Sequence, residues 1–545
     1  MVVDAEKDKP RGAKGKGSAF WLSFVAVVVS TFLSALDLTA VSTALPTITD
    51  SLHDGDDFVW VGSAYVLSST AFLPLCGHLA DVFGRHLTML ISIVFFALGS
   101  ALAGTAQSMN MLIAARTIQG IGGGRIINLA ETIMSDLVPL AERGLYQGIL
   151  GMTWSFASGI GPPIGGALAA RGAWRWLFYL NLPVTGIAFA LVMVFLQVRT
   201  PTGSARDKLA KVDWLGNCII MAGATLAMIG LTWAGVRYPW DSAKVLTPLI
   251  IGFTLIITFF VYELKVPTEP TIPFEILRNR TSLGGFLATL SHGITSISMI
   301  YFMPVYFQAC CGASPLTAGV DMLSTGLVIA PWALACGASI SILKKYRPAL
   351  ILGWIFMIVG FGLLSTLKAD SSLGAWVGFQ FIISAGIGIY YPGTIFPILA
   401  PLPVSYTAAM LAFLAYLCSF GQTWGITIAS TILQNQLKTK LPESFASQFP
   451  EGVSIAYAAI PELHKLDGSL LNEVRVAFAE SLAVIWQTMI GISVLGGIAL
   501  LLMKEILMSD FADENYGLVV SKESADEKTA SKDDEAPRNV TVVEV

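Results

Sequence analysis

Gly77 to His86 reads GHLADVFGRH, with an aspartate and an arginine four residues apart. That spacing is one helical turn and suits a local ion pair, while Gly77 and Gly84 permit close packing and a tight turn. The surroundings give the stretch its weight. It separates two long apolar runs in a 545-residue chain that is 13% charged and 54% hydrophobic, with 51 Gly and 30 Phe. Soluble chains carry about a quarter charged residues. A mean hydropathy of +0.69 belongs to a membrane protein if the apolar residues fall in spans of about 20.

They do. Apolar runs predict helices near 20–46, 58–79, 88–107, 110–137, 145–170 and 177–197, then near 213–236 and 245–265. Six more follow near 282–310, 315–343, 348–367, 374–401, 405–436 and 479–508. The expected fold class is an all-α membrane protein with fourteen transmembrane helices. The first run is too long for a signal-peptide core. Lys7, Lys9, Arg11, Lys14 and Lys16 precede it. Loops predicted on the same side carry Arg85, Arg143, Arg199, Lys344 and Lys345, whereas the first opposite loop reads DSLHDGDD. The positive-inside rule then puts both termini in the cytoplasm. Six cysteines in or near spans match no metal or redox spacing and are read as small apolar packers. The net charge of −4 comes largely from the acidic tail after Ser509, which is expected to be disordered.

The chain also repeats itself. Gly120 and Gly122 of QGIGGG match Gly386 and Gly388 of SAGIGIYYPG, and GHLADVFGRH matches GASISILKKYRP from Gly337 at nearly the same offset. Parallel repeats with a substrate site between them at mid-membrane are a recurring transporter plan.

Four stretches make the resemblance specific. GHLADVFGRH resembles the loop-2–3 signature of the major facilitator superfamily, G-x-L-A-D-x-x-G-R-[KRH]. LIAARTIQGIGGG resembles that family's fourth-helix pattern, placing Arg116, Gln119, Gly120 and Gly122. LDLTAVSTALPTI and WRWLFYLNLP resemble the first-helix and sixth-helix stretches of its fourteen-helix drug:proton antiporter branch, and the chain is most similar to fungal members. The resemblance implies a cytoplasmic tail over 1–19, a six-helix half over 20–197 and two inserted helices with linkers over 198–280. A second six-helix half over 281–508 and a cytoplasmic tail over 509–545 complete the expected plan.

In that family the loop after helix 2 locks the cytoplasmic side, so Gly77, Asp81, Gly84 and Arg85 are gate candidates. Arg85 would hold Asp81, which would accept hydrogen bonds from a helix N-terminus of the opposite half. GILGMTWSFASGIGPPIGG resembles the antiporter motif of helix 5 through Gly148, Gly161, Pro162, Gly165 and Gly166, with Ala157 replacing the middle glycine. Small residues there allow close helix approach, and Pro162 can kink the helix.

Ionisable groups inside spans cost about 2.5–3.5 kcal/mol each to insert, so they mark function. Asp37 is the first candidate for proton exchange, Arg116 matches a family position linked to coupling, and Glu131 is a further cavity candidate. Arg125 lies nine residues past Arg116, about 180° around the helix, and cannot share its cavity. Tyr65, Trp154, Tyr301 and Tyr390 are candidate contacts for flat, apolar ligands.

The expected function is proton-coupled efflux of small hydrophobic molecules such as drugs, toxins or secondary metabolites, by alternating access. Uptake by proton symport, as in siderophore transporters, and a non-transporting receptor on the same fold are the alternatives. No P-loop, nucleophile–base pair or metal cluster is seen, so neither an enzyme nor a cofactor is expected. Expected partners are the substrate, protons and the lipid bilayer, with no nucleic acid. The protein is expected to be a monomer in the plasma membrane, with the vacuolar membrane the other choice.

Overall fold

The computed structural model describes residues 17–52, 59–198, 212–234, 238–266, 272, 275–403, 406–447, 459–466 and 468–506. The N-terminal tail, the 199–211 linker and the C-terminal tail lie outside the described residues. Six helices open the chain: α1 Ser18–Leu52, α2 Val59–Phe83, α3 Arg85–Gly104, α4 Met109–Leu137, α5 Leu140–Ala170 and α6 Arg175–Phe195. Two follow, α7 Trp214–Trp233 and α8 Ala243–Lys265. The last group is α9 Arg280–Ala309, α10 Pro315–Asp321, α11 Leu323–Leu343, α12 Arg347–Leu364, α13 Leu373–Gly393, α14 Ile395–Leu399, α15 Thr407–Lys440 and α16 Gly468–Ala499.

Among the described residues, eleven helices are long and apolar enough to cross a membrane. α2, α4 and α5 are just as long, at 25, 29 and 31 residues, but polar residues and glycines dilute their hydropathy. Every predicted span falls on a long helix. The largest displacement is the last one, which starts at Gly468 and not near 479. Val474, Ala477 and Phe478 are buried at helical spacing while Glu473 and Glu480 face outward, so this amphipathic entry is polar on average. The polar segment Asn435–Asn472 is accordingly helical at both ends.

Lipid-facing positions follow the helical period. On α3, Leu87, Ile91, Val94 and Leu98 are all exposed, a stripe that water would penalise and acyl chains accept. Helices satisfy backbone groups internally, as the bilayer requires, while interior prolines such as Pro74, Pro304 and Pro392 each remove one donor.

The break between α2 and α3 is a single residue, Gly84, at φ 91° and ψ 155°. This is backbone that only glycine adopts readily. Gly84→Ala is expected to cost about 1–3 kcal/mol by that strain, read as a lower unfolding temperature of the purified protein. An unchanged temperature would show that the turn relaxes.

α1–α6 pack as one group and α9–α16 as another, with two seams between them. Along the first, α5 lies on α11, and Gly144 and Gly337 meet backbone to backbone. Along the second, α2 lies on α15, where a Cβ on Gly77 would come 2.7 Å from the Ala412 Cβ. α7 and α8 pack on each other and flank this second seam. Trp60 of α2 meets Trp233 of α7 edge-on at 6.3 Å, and Thr427 of α15 donates to the Leu231 carbonyl at 3.2 Å.

The internal repeat is visible in these contacts, in a register two residues from the sequence match. Gly122 faces α3 at Ser92 and Phe96, as Gly386 faces α12 at Gly353 and Met357. Gly124 faces Ser69 of α2, as Gly388 faces Ile329 of α11. Glycines recurring every second residue leave the alignment degenerate, and only the partner helix decides it.

Candidate functional site

Asp37 is 2% exposed, just past the middle of α1, and three side chains converge on it. Arg116 Nη1 donates to Oδ2 at 2.6 Å, while Gln119 Nε2 and Asn181 Nδ2 donate to Oδ1 at 2.9 and 2.6 Å. Arg116 Nη1 also donates to Gln119 Oε1 at 2.6 Å, and its Nε donates to the Val61 carbonyl at 3.0 Å. Arg116 and Gln119 lie three apart on α4 and so present to one side. Asn181 comes from α6, inside WRWLFYLNLP, where a lone amide in an apolar run was the available signal. A carboxylate held by a guanidinium and two amides is fully satisfied as an anion, which is what a buried charge requires.

Tyr65 completes the cluster from α2. Its ring centre lies 4.5 Å from the Arg116 guanidinium carbon, and its hydroxyl meets Ser34 at 3.1 Å. Side chains at Gly120 and Gly123 would occupy the place of Tyr65, so the glycines of QGIGGG are what let α2 come so close. At 3% exposure, Tyr65 supports the ion pair from within its own half.

Two candidates bridge the halves. Trp154 of α5 stacks on Tyr391 of α13 with centres 6.2 Å apart and planes at 24°. Glu131 of α4 lies near enough to act electrostatically on Tyr391 and on Cys418 of α15. No hydrogen bond or ion pair is recorded for Glu131 among the described residues. Tyr301 of α9 is 42% exposed and within electrostatic reach of Arg116. Tyr390, adjacent to Tyr391, points elsewhere: it is fully buried between His292 and Trp354 in the C-terminal group.

At the α2–α3 turn, Arg85 is 2% exposed, so the solvated local pair that its spacing allows is not its setting. Its Nε donates to Asp136 of α4 at 2.8 Å and its Nη1 to the Ala80 carbonyl at 2.7 Å. The side chain of Asp81 lies outside the described residues. Its helix, however, meets α15 at Gly77, against Ala408 and Ala412 in the first turns of α15. Arg143 caps the end of α4 by donating to the carbonyls of Val138 and Ser135. Asp136→Asn would remove the carboxylate that accepts from Arg85 Nε, a loss of about 1.5–3 kcal/mol, the range of hydrogen bonds to charged groups. A drop in unfolding temperature would show it, and no drop would make the pair dispensable.

The helix 5 motif divides between two partners. Gly148 lies against Leu334 of α11 and Gly166 against Leu316 of α10, both across the seam. Gly161 instead packs on Thr39 and Ala40 of α1, just beyond Asp37. Gly165 is buried, and the side chain of Pro162 lies outside the described residues. Arg125 stays apart from the Asp37 cluster, about 180° around α4 from Arg116. Its Nε is buried without a hydrogen-bond partner.

Comparison with known proteins gives the family. Residues 27–426 match the family model of the Major Facilitator Superfamily. The chain is 37% identical to the MFS-type transporter gkaD of Penicillium citrinum over 97% of this chain and 92% of that one. It is 35% identical to the MFS-type efflux pump LUC4 of a Fusarium species, over 97% and 95%, and 34% identical to the efflux pump FUS6 of Gibberella fujikuroi, over 95% of each. The fold is similar to the human organic anion transporter MFSD10, with a TM-score of 0.59 at 16% identity over 89% of this chain and all of that one. It is also similar to the proton:xylose symporter XylE, at 0.54 and 12% over 84% and 98%. With a family match over most of its length and relatives above 30% identity across nearly all of it, the chain belongs to the Major Facilitator Superfamily and is a multi-pass integral membrane protein built as a transporter.

Proposed function

We propose that this protein exports small hydrophobic molecules of the toxin or secondary-metabolite kind in exchange for protons. The observation that carries the reading is the buried Asp37–Arg116 pair with Gln119 and Asn181. A proton and Arg116 compete for one carboxylate. Protonation neutralises Asp37 and frees Arg116 to rearrange, which gives the two protonation states different preferred conformations. The substrate sits between the halves, against Trp154, Tyr391 and Tyr301, with Glu131 beside them. Arg85 and Asp81 belong to the cytoplasmic gate, and the glycines of α5 favour antiport over symport by sealing the cavity during the exchange. Relatives named efflux pumps support the outward direction. In this reading one chain forms the whole pathway, so the monomer suffices, in the plasma membrane with both termini cytoplasmic.

Inverted membrane vesicles test the proposal. An imposed gradient, acidic inside the vesicle, is expected to drive uptake of labelled hydrophobic toxins. Movement in the same direction as the proton would establish symport. Substrate binding that the gradient leaves without any movement would establish a receptor.

A further inference from the structure

Trp154 and Tyr391 meet across the seam, and both keep part of their surface exposed. The stretch of α5 that carries Trp154 presents one continuous face there. Gln147, Gly151, Trp154 and Ser158 recur at the four-three-four spacing of a single helix face. A Cβ on Gly151 would lie 3.3 Å from the Tyr391 ring, which fixes where that face points. Gln147 is 2% exposed, and its Nε2 is buried without a hydrogen-bond partner, as is the Ser158 hydroxyl. Glu131 of α4 is 9% exposed, acts electrostatically on Tyr391, and makes no hydrogen bond or ion pair among the described residues. Glu131 and Gln147 each lie about two turns from the α4–α5 connection, so they share one level of the bundle. Buried polar groups in native proteins are nearly always paired. Three unpaired ones around one aromatic contact call for a partner from outside the chain.

We propose that Glu131 and Gln147 recognise a secondary amide, the polar end of a neutral hydrophobic substrate whose apolar body lies along Trp154 and Tyr391. The proposal rests on the placement of the substrate between the halves given above, and adds its chemical class. Gln147 Nε2 only donates, so it needs an acceptor such as an amide carbonyl. Glu131 keeps an accepting oxygen whether or not it carries a proton, so it takes the amide N–H in either state. An ester or ketone fills the first role and leaves the second empty. A carboxylate would meet Glu131 as a like charge, and a protonated amine has no acceptor for Gln147. A hydroxyl would serve both side chains from one atom. An amide offers donor and acceptor on separate atoms, which suits two side chains arriving from different helices.

The neighbouring groups leave both side chains to the ligand. Among the described residues no lysine or arginine acts on Glu131. Cys418 of α15, also within its electrostatic reach, supplies only a weak thiol. Ser158 lies on the other side of Trp154, about 16 Å along the helix from Gln147. Its hydroxyl donates or accepts, so it reads a second polar group at that distance in either sense. The fitting molecule is elongated, with an amide near one end and a flat apolar stretch beside the two rings. Mostly apolar walls with a few placed polar groups are the usual build of a small-molecule site.

Equilibrium binding to the full-length protein in lipid nanodiscs, with no gradient imposed, tests this with three probes of similar size. N-decylbenzamide carries both N–H and carbonyl, its N-methyl derivative lacks the N–H, and decyl benzoate replaces the nitrogen with oxygen. The parent is expected to bind the N–H amide about tenfold more tightly than either of the others, the size of one buried hydrogen bond. Glu131→Leu should erase that preference, because the group that takes the N–H is gone. Gln147→Leu should weaken all three probes by a similar factor of about ten and keep the preference. Equal binding of the three by the parent, or no binding of any, would overturn the proposal. So would a preference that survives in Glu131→Leu. If Glu131→Leu fails to fold, Gln147→Leu decides alone, and unchanged affinities there overturn the assignment. Export indifferent to a proton gradient would sink the exchange reading and leave these affinities standing.

Discussion

Asp37→Asn is expected to abolish proton-driven export while the protein still reaches the membrane and binds substrate. The amide matches the carboxylate in shape but cannot titrate. Arg116 keeps its bonds to the Val61 carbonyl and to Gln119, so the cluster loses its switch before it loses its architecture. With the proton-sensitive state removed, a gradient has no group on α1 through which to bias the conformations. The measurement is gradient-driven uptake into inverted vesicles at matched protein level, beside substrate binding in detergent. Wild-type uptake by the mutant would remove Asp37 from the mechanism.

Gly337→Val is expected to be nearly as damaging, by a different route. A Cβ on Gly337 would lie 2.6 Å from the Gly144 carbonyl carbon, and backbone on both sides leaves no flexible side chain to yield. The α5–α11 seam cannot then close where Gly144 and Gly337 meet, the end that the proposed orientation makes cytoplasmic. Overpacking of this kind typically costs about 1–3 kcal/mol, and here the cost falls on one conformation only. A bias of about 1.4 kcal/mol already shifts a two-state population tenfold. The mutant should occupy the inward-facing state, with faster labelling of cysteines introduced into the cavity from the cytoplasmic side and strongly reduced export. Equal labelling in mutant and parent would show that the seam opens and closes around the larger side chain.

The positions of the long helices were legible because a bilayer imposes one crude demand, about 20 apolar residues per span. The demand failed at α16, whose first turns are apolar on one face only. Local motifs named Asp37, Arg116 and Gln119, since polar residues inside greasy runs are conspicuous wherever they point. Their assembly was not legible. Asn181 joins Asp37 from 144 residues away, and Arg85 reaches Asp136 in α4 from 51 residues away. The choice between Tyr390 and Tyr391 shows the limit most plainly. One residue along a helix is a turn of about 100°, which sends one ring to His292 inside the C-terminal group and the other to Trp154 across the seam. Hydropathy and motif spacing record that an aromatic is present, and by themselves they determined the spans and the family. Which face each helix shows its neighbour is fixed by packing between segments hundreds of residues apart, and that only the tertiary structure decided.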